Sequence, residues 1–136
     1  MSFKTSMREG IIKKVPTDRI RAKSLIKSSE QALATAKIIP FQEETLKTIF
    51  RELYESLRGC CEAVGYIKGY KFSNHESITD FLDEVLEEKE LSLKFDRYRK
   101  LRNGINYYGN LIEIQTVKDA LMEIPLLINK LKKYSL

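Results

Sequence analysis

The chain has 136 residues, 43% of them hydrophobic and 32% charged, with a net charge of +5. That length suits one domain, which buries a little under ~70% of the surface its unfolded chain exposes and needs no covalent staples. No apolar run approaches the ~18 residues of a membrane span, and Met1–Pro16 lacks the apolar core and cleavage site of a secretion signal, so the expectation is a cytoplasmic protein without a membrane partner.

Charge is segregated along the chain. Residues 1–40 carry a net +6, 41–72 are neutral, 73–93 carry −6, 94–110 carry +4 and 111–136 carry +1. The basic blocks suit a polyanion, and the acidic block suits either a partner or the chain's own cations.

Residues 1–16 read as an N-terminal arm, frayed or docking, ahead of a single domain over 17–136. Thr17 follows Pro16 as an N-cap, and Asp18 favours the positive end of the helix that follows. The stripe of that helix is Ile20, Leu25, Ala32, Leu33, Ala36 and Ile39, with Ala22 and Ser29 as small residues allowing close approach, and Pro40 ends it. A second helix is expected from Phe41 to about Lys68, with Leu46, Ile49, Phe50, Leu53, Leu57, Cys60, Cys61, Val64 and Ile67 at helical spacing. Gly69 to Phe72 reads as its exit into a loop. Adjacent Cys60 and Cys61 fit neither a disulfide framework nor metal-ligand spacing, so they read as reduced thiols. With a single histidine, His75, no metal site or cofactor is expected.

Ser73 and Glu76 have capping-box spacing ahead of a third helix through Ile78, Phe81, Leu82, Val85 and Leu86. His75 would lie in its first turn as a surface or packing residue. Asp83, Glu84, Glu87, Glu88 and Glu90 read as a solvated acidic face and loop. The fourth helix carries Asp96 to Gly109, with Gly109-Asn110 as its stop. Gly104 inside it costs about 0.5–1 kcal/mol relative to alanine, which implies close approach of a neighbouring group. A fifth helix from about Thr116 has Val117, Leu121, Ile124, Leu127, Ile128, Leu131 and Tyr134 on one side and Pro125 within it. Strand patterning is nearly absent, apart from the short Leu111 to Ile114. Five amphipathic helices with short connections make the expected fold an all-α antiparallel bundle.

The 96–109 stretch carries the functional signal. On a helical wheel Tyr98, Leu101, Ile105 and Tyr108 share one side, while Arg99, Arg102, Asn103, Asn106 and Asn110 share the other. Such a dense set of guanidinium and amide donors suits phosphate oxygens and base or ribose edges, although a solvated helix face produces the same pattern.

The order of the helices, the segment Gly-Tyr-Lys-Phe followed by Ser-Asn-His-Glu-Ser-Ile, and Arg102-Asn103-Gly104-Ile105-Asn106-Tyr107 together resemble the HEPN family of nucleotide-binding helical domains over most of residues 17–134. The resemblance implies dimerisation through the motif helices, and frequent pairing with a minimal nucleotidyltransferase as a toxin–antitoxin couple. Active members are metal-independent ribonucleases in which an Arg and a His four to six residues further on serve the attack of the ribose 2′-OH on phosphate. Arg102 and Asn103 match the first half of that motif, and Tyr107 stands where the His would be. Transferred to this chain, the catalytic positions are Arg102 and Tyr107, and the binding positions are Arg99, Arg102, Asn103 and Asn106. A tyrosine with an ordinary pKa near 10 is a poor general base at neutral pH. The expectation is therefore a homodimer that binds RNA or a nucleotide with little or no cleavage. The alternatives are an endoribonuclease using Tyr107 and a helical protein-interaction module.

Overall fold

The computed structural model describes residues 2–134. In chain order its elements are α1 (Phe3–Arg8), β1 (Ile12–Lys14), α2 (Arg19–Ile38), α3 (Leu46–Lys68), β2 (Tyr70–Phe72), α4 (Glu76–Asp80), α5 (Lys89–Tyr108) and α6 (Ile114–Leu131). The chain is an all-α helical bundle, with six α-helices and one two-stranded ribbon among the described residues. None of these helices is long and apolar enough to cross a membrane.

The best-patterned stretch of the sequence becomes the central helix. α3 packs against α2, α5 and α6 and buries Phe50, Leu53, Tyr54, Leu57, Cys61 and Val64 completely. Its start is later than Phe41. Pro40 holds the chain extended, and Gln42 and Thr45 cap one another around a 3-10 turn at Glu43–Thr45, so the helix begins at Leu46. Both thiols are in the core and free.

Small residues set how closely α2 approaches. Its buried positions are Ala22, Ser29 and Ala36, seven apart, and a Cβ placed on Gly59 of α3 would lie 2.3 Å from Ser29 Oγ. Larger side chains at these positions would separate the two backbones. Ile20, expected in the stripe, is 85% exposed because the seam runs through the small residues instead. The side chain that caps α2 is Asp18, whose Oδ1 accepts from Arg21 N at 2.9 Å, one residue later than the expected Thr17.

The N-terminal arm docks. Ile12 is buried, Phe3 meets Tyr70 edge-on at 5.4 Å, and Phe3 N donates to Glu84 Oε2. β1 and β2 pair antiparallel with Ile12 opposite Phe72, Lys13 opposite Lys71 and Lys14 opposite Tyr70. Residues 70–72, expected as a loop, are therefore a strand, and residues 111–113, the short strand-like run, are not. A three-residue strand is too short to show an alternation, so only its partner defines it.

The third expected helix is interrupted. Asn74 rather than Ser73 supplies the cap, its Oδ1 accepting from Ser77 N at 2.9 Å, and α4 passes at Phe81 into a π-helical turn over Phe81–Val85. The acidic segment is partly consumed internally. Glu88 receives Lys133 Nζ at 2.5 Å and the Tyr134 hydroxyl at 2.9 Å, tying the start of α5 to the end of α6.

In α5, Leu91, Phe95, Tyr98 and Ile105 are buried, whereas Tyr108, expected with them, is 79% exposed beyond the last core layer. Gly109 ends the helix in the left-handed region at φ 65°, where a residue without Cβ is favoured. The close approach at Gly104 comes from the chain itself, since a Cβ there would lie 2.7 Å from the Asn110 side-chain amide.

Candidate functional site

The connection from β2 into α4 lies against the polar side of α5. Between them is an open cleft of about 400 Å³ lined by Asn74, His75, Glu76, Arg99, Arg102, Asn103 and Tyr107, with Ser73 at its edge. Helical spacing puts Arg99, Arg102, Asn103 and Tyr107 on one side of α5, and tertiary packing brings the only histidine to them. A larger hollow of about 480 Å³ lies along α5 between Leu93, Leu101, Ile105 and Leu111. Its lining is mainly apolar, and it does not include Arg102.

The two cleft arginines differ. Arg99 is committed, with Nε and Nη2 donating to Asp96 Oδ1 at 3.1 and 2.7 Å, while Lys100 holds the other carboxylate oxygen at 2.9 Å. Burial alone would raise the Asp96 pKa, but hydrogen bonds from Lys100 and Arg99 hold it below the usual carboxylate value. Arg102 makes no ion pair among the described residues. Its guanidinium lies 5.6 Å from the Tyr54 ring and 5.8 Å from the Tyr107 ring, with one 3.4 Å hydrogen bond to Asn103 Oδ1. Two aromatic faces attract the cation without neutralising it, so its charge remains available to an anion.

His75 is oriented from below. The hydroxyl of fully buried Tyr54 lies 2.8 Å from His75 Nδ1, and Tyr54 is itself stacked on Phe95. Burial raises the Tyr54 pKa well above the ordinary phenol value, so this hydroxyl keeps its proton; Nδ1 is its one partner among the described residues, and donating to it is the direction that leaves no buried hydroxyl proton unpaired. That places the proton of the neutral ring on Nε2. Burial first, and the cations Arg58 and Arg102 next, lower the His75 pKa to about 4. At neutral pH the imidazole is uncharged and its remaining nitrogen is a donor.

The amides follow the same pattern. Asn74 Oδ1 accepts from Ser77 N, and Asn103 Oδ1 accepts from Arg102, which leaves their NH2 groups to donate. Glu76, exposed at the rim, is the one carboxylate in the lining. The arrangement is a donor-rich cleft around one uncompensated arginine, suited to a phosphate or another oxyanion. Tyr107 is 68% exposed and forms the outer wall. Asn106 lies outside the lining, its Oδ1 accepting from Arg51 Nε of α3 at 2.7 Å. The thiols are not nucleophiles here, since burial pushes Cys60 up to about 11 and raises Cys61 well above its ordinary value.

The contributions of His75 and Tyr54 were not readable from α5 alone. His75 is 27 positions before Arg102 and joins it only through the β2–α4 turn. As the only histidine in the chain, lying next to an Asn that caps a helix, it offered a weak signal. Compared with known proteins, the sequence matches no family model, and no curated protein matches it significantly.

Proposed function

We propose that the chain is a HEPN-type RNA- or nucleotide-binding module in which a phosphate of the ligand lies against Arg102, flanked by the donors of Asn74, His75 and Asn103. The observation that carries this reading is Arg102 itself, an arginine held between two tyrosine rings without an ion-pair partner among the described residues. An anion supplies the charge that the fold leaves uncompensated, and a guanidinium can receive two phosphate oxygens at once. The resemblance adds a homodimer and a minimal nucleotidyltransferase as partners. Tyr107, Tyr108 and Leu111, all more than 60% exposed at the end of α5, supply an apolar edge of the kind that a second copy covers.

A second reading, metal-independent RNA cleavage, is favoured by one observation. His75 brings a neutral imidazole into the cleft that holds Arg102, so the His absent from position 107 has a spatial substitute. The Tyr54 bond opposes it, because the tautomer it selects leaves Nε2 protonated and unable to accept the 2′-OH proton. Binding with little cleavage is therefore the better-supported function.

Arg102→Ala tests it. Affinity for RNA or a nucleotide, measured by fluorescence anisotropy, should fall by about 1–3 kcal/mol, the range for a lost charge-assisted contact, with the melting temperature nearly unchanged. Tyr107→His is the companion, scored by cyclic-phosphate product. Unchanged binding by Arg102→Ala together with no cleavage by Tyr107→His would leave a protein-docking bundle as the better account.

A further inference from the structure

Several cations outside the cleft lie on the ribbon and the start of α2. Lys13, Lys71, Arg19, Arg21 and Lys23 are exposed, and none is in an ion pair among the described residues. Between ribbon and helix runs a groove of about 310 Å³ lined by Thr17, Asp18, Arg21, Tyr66 and Lys71, with Val15 and Pro16 along one side. Arg21 lies 5.1 Å from the centroid of the Tyr66 ring. The groove thus has an aromatic wall, a guanidinium over it and a lysine at its end.

Two features make this more than a scatter of lysines. The last carbonyls of α3, which would repel an anion, are already occupied. Tyr66 O accepts from Asp18 N at 3.1 Å, Ile67 O from Thr17 Oγ1 at 3.4 Å, Lys68 O from Lys14 Nζ at 3.4 Å and Gly69 O from Val15 N at 2.9 Å. The one carboxylate in the lining, Asp18, is turned to the helix end, where Oδ1 accepts from Arg21 N. The second feature is repulsive. Lys13 and Lys71 stand directly opposite one another on the ribbon, and like charges at such a position destabilise the pairing. The ribbon keeps two facing ammonium groups with no acid between them, an arrangement that a bound polyanion relieves.

From this placement we infer that the ribbon and groove form a second binding surface, for the backbone and bases of single-stranded RNA. Lys13 and Lys71 contact phosphates, and Tyr66 with Arg21 offers a stacking platform, the combination of cations and aromatic faces that takes single strands without reading sequence. A concave, aromatic-walled groove matches a nucleic-acid strand better than the flat basic face that suits a bilayer. Lys71 of the groove is four residues before His75 of the cleft, so the chain between them spans no more than about 13 Å. A strand anchored at Arg102 can therefore continue along the ribbon. The inference shares its ligand class with the proposed function but uses different residues, so the two can fail separately.

The test is anisotropy of a fluorescent 12-nucleotide oligouridylate, with a fluorescent uridine nucleotide as the short probe. Wild type, the double variant Lys13→Gln/Lys71→Gln, Tyr66→Leu and Arg102→Ala are compared from low to moderate salt. The double variant should bind the oligonucleotide at least about fivefold more weakly, with its log–log salt slope reduced by about 1.4 for two lost phosphate contacts. Its affinity for the mononucleotide should be unchanged and its melting temperature equal or higher. Tyr66→Leu should weaken the oligonucleotide without changing the salt slope. Oligonucleotide binding that depends on Lys13 and Lys71 but not on Arg102 would support the groove while removing the cleft. An unchanged affinity and slope in the double variant, no oligonucleotide binding by wild type at low salt, or binding to phosphatidylserine vesicles in place of the oligonucleotide would each overturn the groove.

Discussion

α3 and α5 are of similar length and lie against one another, yet they differ in what their sequence is used for. α3 buries 13 of its 23 residues, whereas α5 buries 6 of its 20 and leaves Arg102, Asn103 and Tyr107 facing an open cleft. The difference teaches where each kind of mutation should register. Truncations in α3 should change stability, and truncations on the polar side of α5 should change binding. Tyr54 crosses this division, being a core residue of α3 whose hydroxyl orients a cleft residue.

The strongest way to break the comparison is Leu57→Ala in α3. Leu57 is fully buried, and its loss should reduce unfolding free energy by about 2–5 kcal/mol in urea titration, from lost transfer energy plus the cavity. The Arg102→Ala protein should unfold within about 0.5 kcal/mol of wild type, as expected of a residue outside the core. Similar losses in both would mean that α5 is a structural helix after all. Tyr54→Phe sharpens the division. It keeps the ring on Phe95 but leaves His75 Nδ1 without its donor, which should cost about 1–3 kcal/mol and release the ring to the other tautomer, detectable by nitrogen-15 shifts of the imidazole.

The remaining effect is in pH. The folded-state pKa of His75, lowered from 6.5 to about 4, means that the unfolded chain binds the extra proton first on acidification. The His75 contribution is complete above pH 6.5 and is lost as pH falls towards 4. His75→Gln should lack that part of the slope, so the difference in stability between wild type and variant should shrink steadily through this window. A difference independent of pH would show that folding does not lower the His75 pKa.

What could be read in the sequence follows from periodicity. The stripe of α3, the small residues Ala22, Ser29 and Ala36, and Arg102 with Asn103 on one side of a helix follow helical spacing, so a wheel finds them, and Gly109 marks its own stop as a glycine. Features fixed by distant partners leave no such trace. Ile12 opposite Phe72, Asn106 on Arg51 and His75 on Tyr54 are each made by residues 21 to 60 positions apart. Arg99 is the intermediate case. Its pairing with Asp96 is three residues away and follows from spacing alone, and that local pairing leaves Arg102 as the cation without a carboxylate.

The β1–β2 ribbon also has a consequence in time. Ile12 has no strand to pair with until Phe72, 60 positions later, has been made. At about 5–20 residues per second, that delay during synthesis is roughly 3–12 s. Throughout it, Phe3 and Ile12 lack the Tyr70 and Phe72 surfaces on which they later rest, while the α2–α3 hairpin can already be closing. Phe3 and Ile12 are thus made early and fastened late, and the nascent chain carries these apolar side chains uncovered for as long as α3 is being completed.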